Sequence, residues 1–205
     1  MANPIPVKDR GTVRWADCAW VLPPGTDEVR ALERWRAVGD SLAENDAAEL
    51  GHMAAMKWRA TANWGTIAPA LADMQSAIAA DPTVEVTGML MASADWFPGQ
   101  HLGLCLFHRT WMGNVFLDFL AAHPATQRAE TEVTGIGVGL VFRLAEIANA
   151  LNANFVWGET TALSGHYYRR IFQQPYPSDR LVVSQSELRK FCDGFRQKMF
   201  DVQAP

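Results

Sequence analysis

Cysteine is scarce: the chain of 205 residues holds three, Cys18, Cys105 and Cys192, far apart and without a C-x-x-C pair. An odd, scattered set excludes a disulfide framework and a zinc knuckle, and a reducing cytosol is the expected compartment. The five histidines, His52, His101, His108, His123 and His166, never fall four residues apart, so no helix face offers a metal two ligands and no metal site is expected. No stretch approaches the roughly 20 apolar residues of a membrane span, and the opening MANPIPVKDRGTVRW has no apolar signal core. A cytoplasmic protein with no membrane partner is therefore expected. Basic residues are outnumbered, 18 against 22 acidic, and the net charge of -4 argues against a general nucleic-acid footprint.

What is present is a 49% hydrophobic chain with 20% charged residues, enough to build one domain around a sizeable core. Segment 1–82 reads as mainly helical. Thr26 can cap a helix ahead of Asp27 and Glu28, with Val29, Leu32, Trp35, Val38 and Leu42 at helical spacing. A second pattern holds Leu50, Met53 and Met56, and a third runs TIAPALADMQSAIAAD with Pro69 in its first turn. Segment 83–184 changes character. VEVTGMLMASADW, HLGLCLFHRTW and VFLDFLAAHP are apolar runs separated by FPGQ and MGN, which predicts an antiparallel meander. A helix after Gly135 leads to the strand NFVWGE, a crossover that makes that strand a parallel neighbour in a mixed sheet. ALSGHYYRRIF is a short helix and RLVV a late strand, and Ser184 with Glu187 predicts a capping box for the last helix, within 185–205. The fold class is α+β.

In EVTGIGVGLVF, Gly135, Gly137 and Gly139 stand at alternate positions just ahead of an amphipathic helix. The first N–H groups of a helix have no intrahelical partner and lie at the positive end of its dipole, so glycines there let an anion approach the backbone. Glycines also suit a helix that starts in a tight packing corner, and spacing alone leaves both readings open. A dinucleotide fingerprint is excluded, because Leu140 takes the third glycine position, although Glu159 falls at the distance of its acidic residue.

Three strands ending in LAAHP, a connection, GIG opening a helix, a further strand and a short helix with Tyr-Tyr-Arg-Arg resemble the GNAT superfamily of acyl-CoA-dependent N-acyltransferases, over Val84 to about Val183. In that family Q/R-x-x-G-x-G/A opens the crossover helix and its backbone N–H groups hold the pyrophosphate of coenzyme A. The resemblance makes Gly135, Ile136, Gly137 and Val138 that turn, with Glu132 where the family has Gln or Arg, and with a longer connection before it. Arg128 could supply a compensating charge. The resemblance further implies that Leu120, Ala121 and Ala122 present backbone to the pantetheine arm, and that Ser164 either bonds near that arm or caps its helix. Tyr168, with Tyr167 one residue out of phase, would protonate the departing thiolate.

Deprotonating an amine calls for a carboxylate near these strands, and the candidates are Glu159, at the end of NFVWGE, and Asp118, with apolar neighbours in VFLDFLAA. The acceptor side falls in the helical first third, where Trp58, Arg59 and Trp64 form an aromatic and basic group. The implied function is N-acyl transfer, with acetyl-CoA or another acyl-CoA as cosubstrate and an amine as acceptor, in a chain for which a homodimer is compatible. A GNAT-like module that binds acyl-CoA or a protein without turnover is the alternative.

Overall fold

The computed structural model describes residues 3–203 apart from Pro98, Gln100, 129–130, Glu132 and 175–178. The chain opens in β-structure. Strands β1 (Ile5–Asp9) and β2 (Thr12–Trp20) form a hairpin, and Arg10 and Gly11 between them sit at φ 48° and 78°, the two left-handed residues of a type I′ turn. Segment 1–82 is thus helical only from Thr26 onward. Helix α1 (Thr26–Glu33) has Gly25, not Thr26, at its N-cap, and the apolar series predicted as one helix through Leu42 breaks at Arg34. Helix α2 (Leu42–Trp64) starts afresh at Ser41, whose hydroxyl accepts the Glu44 N–H. Its buried face is Ala47, Ala48, Gly51, Ala54, Ala55 and Trp58 rather than Leu50, Met53 and Met56, and Met56 is 71% exposed. The small face has a steric reason: a Cβ on Gly51 would lie 2.6 Å from the Trp35 ring, so only a flat helix surface fits there. The two-residue strand β3 (Thr66–Ile67) follows, then α3 (Leu71–Ala80), which starts two residues beyond Pro69.

The next elements follow the sequence pattern. Strands β4 (Val86–Ser93), β5 (His101–Arg109) and β6 (Val115–Ala122) are the antiparallel meander. After a 3-10 turn at Pro124–Gln127 and the short β7 (Val133–Thr134), α4 (Ile136–Ala150) crosses over to β8 (Phe155–Glu159), which is parallel to β6. Helix α5 (Ala162–Phe172) and β9 (Arg180–Ser184), antiparallel to β8, lead to α6 (Gln185–Gln203). The capping box at the start of α6 is formed: Ser184 N–H donates to the Glu187 carboxylate at 2.8 Å and Glu187 N–H to the Ser184 hydroxyl at 3.4 Å.

These strands make one mixed sheet in the order β7-β1-β2-β4-β5-β6-β8-β9, with β3 parallel to the start of β4. Period-two alternation divides its side chains between two cores. Met89, Met91, Leu104 and Leu106 pack under α1 and α2, whereas Leu90, Cys105, Phe107 and Val115 pack with α3 to α6.

The alternation breaks at Leu102 of β5 and again in β6. Leu117 pairs with Phe107 and Phe119 with Leu106, so Asp118 is an extra residue, a β-bulge. Before it, Val115 and Leu117 belong to the core under α4; beyond it, Phe119 and Ala121 belong to the core under α2, and Leu120 and Ala122 take the α4 side. Pairing of β6 with β8 covers Val115–Leu117 and ends there. Phe119–Ala122 accordingly have no strand partner on the β8 side.

The chain leaves β6 through His123, whose ring meets Trp35 and Phe97 edge to face at centroid distances of 5.1 and 5.4 Å and whose Nδ1 accepts the Ala125 N–H. Burial, then the charge of Arg128 and the nearby His101, pull its pKa down to about 4. An unfolded histidine titrates near 6.5. Between about 6.5 and 4 the unfolded chain therefore takes up a proton that the folded chain refuses, and stability falls as pH falls through that window. Thermal melts across this range should show a declining midpoint. In His123→Asn, which keeps an acceptor, the decline should be shallower, with half-buried His101 leaving a residual slope; an unchanged slope would remove His123 from the account.

Candidate functional site

Where β6 leaves β8 a cleft of about 610 Å³ opens. Its walls are Leu120–Ala122 of β6, the opening turn of α4 at Gly135–Gly137, the α5 residues Ser164, Tyr167, Tyr168 and Arg170, and Ala47 and Leu50 of α2. Eight of the residues named from sequence thus meet in one place: Leu120, Ala121, Ala122, Gly135, Ile136, Gly137, Ser164 and Tyr168. Val138, Glu159 and Asp118 do not line it.

Each glycine of the turn has its own reason. Gly135 is the N-cap of α4 at φ +89°, a left-handed conformation that side chains disfavour, and it offers no capping side chain. The first-turn N–H groups of Ile136, Gly137 and Val138 are left without intrahelical partners. At Gly137 a Cβ would stand 2.7 Å from the Tyr167 hydroxyl, and at Gly139 one would stand 2.8 Å from Ile5 of β1. The N-terminal hairpin also fixes the approach to the turn, since β1 pairs with β7 through Lys8↔Thr134 and Asp9↔Val133. Both sequence readings of the cluster are therefore represented, an open helix N-terminus and a tight packing corner.

The Tyr167 hydroxyl is buried and has no hydrogen-bond partner among the described residues. An orphan buried hydroxyl is unfavourable by about 1–3 kcal/mol. Burial raises both the Tyr167 and the Tyr168 phenols above their ordinary pKa, which keeps each an O–H donor. The Ser164 hydroxyl caps its own helix: it accepts the Thr161 N–H at 2.8 Å while the Thr161 hydroxyl accepts the Ser164 N–H at 3.2 Å. Arg128 reaches the cleft with its Nε 3.1 Å from Glu44. The Glu44 carboxyl lies below the usual range, first because it accepts the Val38 N–H and then because of Arg128. Glu132, three residues before the first glycine, lies outside the described residues. Asp46 is the carboxylate lining the cleft among the described residues.

Asp118 faces α2, where it pairs with Lys57 and, at 2.8 Å, with Nδ1 of His108; its side chain is 3% exposed. The apolar neighbours seen in sequence are its strand neighbours, and two polar partners, Lys57 and His108, arrive from other elements. Glu159 lies on the open face of β8 and β9, in a shallow depression with Trp157 and Val182. Trp58, Arg59 and Trp64 do not act together: Trp58 is core and donates to Pro24, Arg59 pairs with Glu33, and Trp64 is 91% exposed. Sequence reasoning missed Lys57, His108 and Arg170, because no local spacing signals a contact made across the sheet or between helices.

No protein-family model matches the sequence, and no curated protein matches it. Solved structures are similar to parts of it. Nourseothricin acetyltransferase aligns over 44% of this chain and 49% of its own, at 23% identity and a TM-score of 0.35. A GNAT-family acetyltransferase from Desulfovibrio desulfuricans aligns over 80% of this chain and 82% of its own, at 18% identity and a TM-score of 0.41. The cAMP-binding acyltransferase from Mycobacterium smegmatis aligns over 98% of this chain and 56% of its own, at 13% identity and a TM-score of 0.43. The chain spans about half the length of the first of these.

The contact at Gly137 is open to a direct test. Gly137→Ala should lower stability by about 1–3 kcal/mol, since a buried phenol must give way. In a Tyr167→Phe background, which removes the clashing oxygen, the same change should be less damaging. Strictly additive effects in this double-mutant cycle, read by denaturant unfolding, would show that the two groups do not meet.

Proposed function

We propose that the chain is an acyl-CoA-dependent N-acyltransferase that passes an acyl group, acetyl in the simplest case, directly to an amine. The observation that carries this reading is the unpaired edge Phe119–Ala122, which lies beside the uncapped N-terminus of α4. A free strand edge pairs with an extended ligand that carries amides, as the pantetheine arm does, and an uncapped helix N-terminus favours the pyrophosphate at the other end of that arm. The orphan Tyr167 hydroxyl fits the same occupant, since an acceptor atom of the coenzyme would complete its hydrogen bond.

In this reading the free amine attacks the thioester carbonyl while a backbone N–H on the β6 edge stabilises the developing oxyanion. The C–N bond forms, the C–S bond breaks, and the thiolate takes a proton from Tyr168. The proton lost by the amine passes to Asp118 or Glu159, both on the α2 side of the sheet. Tyr167 binds rather than reacts. No cysteine carries the acyl group: Cys105 is fully buried, and burial raises its thiol well above the ordinary range.

Incubation with acetyl-CoA and a panel of amines, read as released thiol, tests the proposal. Tyr168→Phe should lower kcat by about 10²-fold or more, as loss of a general acid does. Tyr167→Phe should weaken coenzyme binding with kcat largely kept. Asp118→Asn and Glu159→Gln show which carboxylate serves, by loss of the acidic limb of the rate profile. Failure of acetyl-CoA to bind would sink the reading. Binding without thiol release on any amine would instead support the non-catalytic module, which the engagement of Asp118 by Lys57 and His108 favours.

A further inference from the structure

Helices α1 and α2 cover one face of the sheet only as far as β6. The core beneath them takes Met89 and Met91 from β4, Leu104 and Leu106 from β5 and Ala121 from β6, and among the described residues nothing from β8 or β9. Val156 of β8 and Leu181 and Val183 of β9 turn to the opposite core, so alternation leaves Phe155, Trp157, Glu159 and Val182 on the uncovered face. There they line a depression of about 560 Å³, with Phe155, Trp157 and Val182 43%, 41% and 49% exposed. Exposed apolar side chains grouped in this way mark a recognition site. We propose that the depression seats the acceptor, a monoamine with a flat apolar body such as an arylalkylamine, an inference that rests on the acyltransferase reading of the cleft.

Position is the first argument. Gly103 pairs with Ala122, and a Cβ on Gly103 would lie 2.8 Å from Ile136, so the opening turn of α4 sits at the Ala122 end of the β6 edge. An arm that starts from that turn and follows Phe119–Ala122 brings its acyl end to Leu117 and Gly158, the last pair before the two strands part. Gly158 and Glu159 also line the depression. An amine seated there meets the thioester from the side of the sheet opposite α4.

The second argument is charge. Glu159 is the one carboxylate on the wall of the depression, and no ion pair among the described residues engages it. Arg180, its register partner on β9, already has a partner of its own. One carboxylate suits one ammonium. A polyamine would leave further charges unmatched, and an α-amino acid would set its own carboxylate beside Glu159 with no free guanidinium to hold it. The third argument is shape. Trp157 rests edge to face on Phe116 at 4.5 Å and has Val182 as its cross-strand neighbour, so indole and isopropyl form a fixed apolar floor. Glu159, two residues on, stands roughly 7 Å further along the strand, within reach of an ammonium carried on a short arm from a ring lying on that floor. The same seat separates the two candidate bases: Glu159 meets the ammonium, while Asp118 keeps Lys57 and His108.

The test is calorimetric titration of the full chain with 2-phenylethylamine, spermidine and phenylalanine, each with and without saturating coenzyme A. 2-Phenylethylamine should bind at least about 10-fold more tightly than the others, since spermidine lacks the ring and phenylalanine adds a carboxylate beside Glu159. Trp157→Thr should weaken 2-phenylethylamine about 10-fold and leave acetyl-CoA binding unchanged. Val182→Thr, which keeps the shape of the side chain, should weaken it about 3-fold, and Glu159→Gln by about the same factor. Equal or tighter binding of spermidine or phenylalanine overturns the class of acceptor. Unchanged 2-phenylethylamine affinity in Trp157→Thr, or in Val182→Thr should the first variant fail to fold, overturns the seat, as does failure of the amine to bind in either condition. Acetyl-CoA is titrated alongside. If it does not bind, the acyltransferase reading fails, and the depression stands as an amine site only if 2-phenylethylamine binds wild type and is weakened in those variants.

Discussion

The extra residue at Asp118 sets the geometry on which the cleft depends. A bulge cannot stay in register with both neighbours, so β8 follows β6 only as far as Leu117. Beyond that point the strands diverge, and the edge of Phe119–Ala122 is left open inside the molecule rather than at the rim of the sheet. Ordinary alternation from Leu117 sends the Asp118 side chain against α2, and the bulge keeps Phe119 on that same side. A carboxylate 3% exposed is tenable only if paired, and Lys57 from α2 and His108 from β5 supply the partners. The triad therefore ties the bulge to its two neighbours, and whatever chemistry Asp118 performs, it also holds the strand in the shape that makes the cleft.

The opening turn of α4 is fixed from three directions. Hairpin β1–β2 pairs with β7 just ahead of it, Ile5 occupies the space where Gly139 would carry a side chain, and Tyr167 of α5 closes over Gly137. An N-terminal strand, a crossover helix and a later helix thus converge on five residues. Glycine is required at Gly135 for its backbone angle and at the other two for close approach, and only these three together leave the first-turn N–H groups open while packing the helix tightly.

How far the sequence reaches is visible in individual elements. The meander, the crossover to β8 and the Ser184–Glu187 capping box were legible because strand alternation, turn residues and caps are local signals. The N-terminal hairpin was not: its turn is Arg10-Gly11 rather than Asn-Gly, and β2 buries only Ala16 and Cys18, so no strong alternation marks it. The inner face of α2 was misjudged because its buried residues are small, and the larger Met53 and Met56 point outward. In the site, residues of the backbone cradle were found through the spacing around GIG. Partners of the acids were not, because Lys57 lies 61 residues from Asp118 and Arg128 lies 84 from Glu44 in the chain.

Of the buried side-chain groups without a hydrogen-bond partner among the described residues, the Tyr167 hydroxyl borders the cleft. Within it lie a strand edge without a partner, a helix N-terminus without a cap and a buried phenol without an acceptor. The buried phenol is unfavourable, since a buried polar group that loses water without gaining a partner destabilises the fold. The coincidence of the three in one place is hard to attribute to packing alone, because packing would be better served by closing β8 onto β6. On the proposed coenzyme reading an extended molecule carrying amides and phosphates would satisfy all three together, and such a ligand would stabilise the native state by mass action. On that reading the polar deficit of the cleft is the source of its capacity to bind.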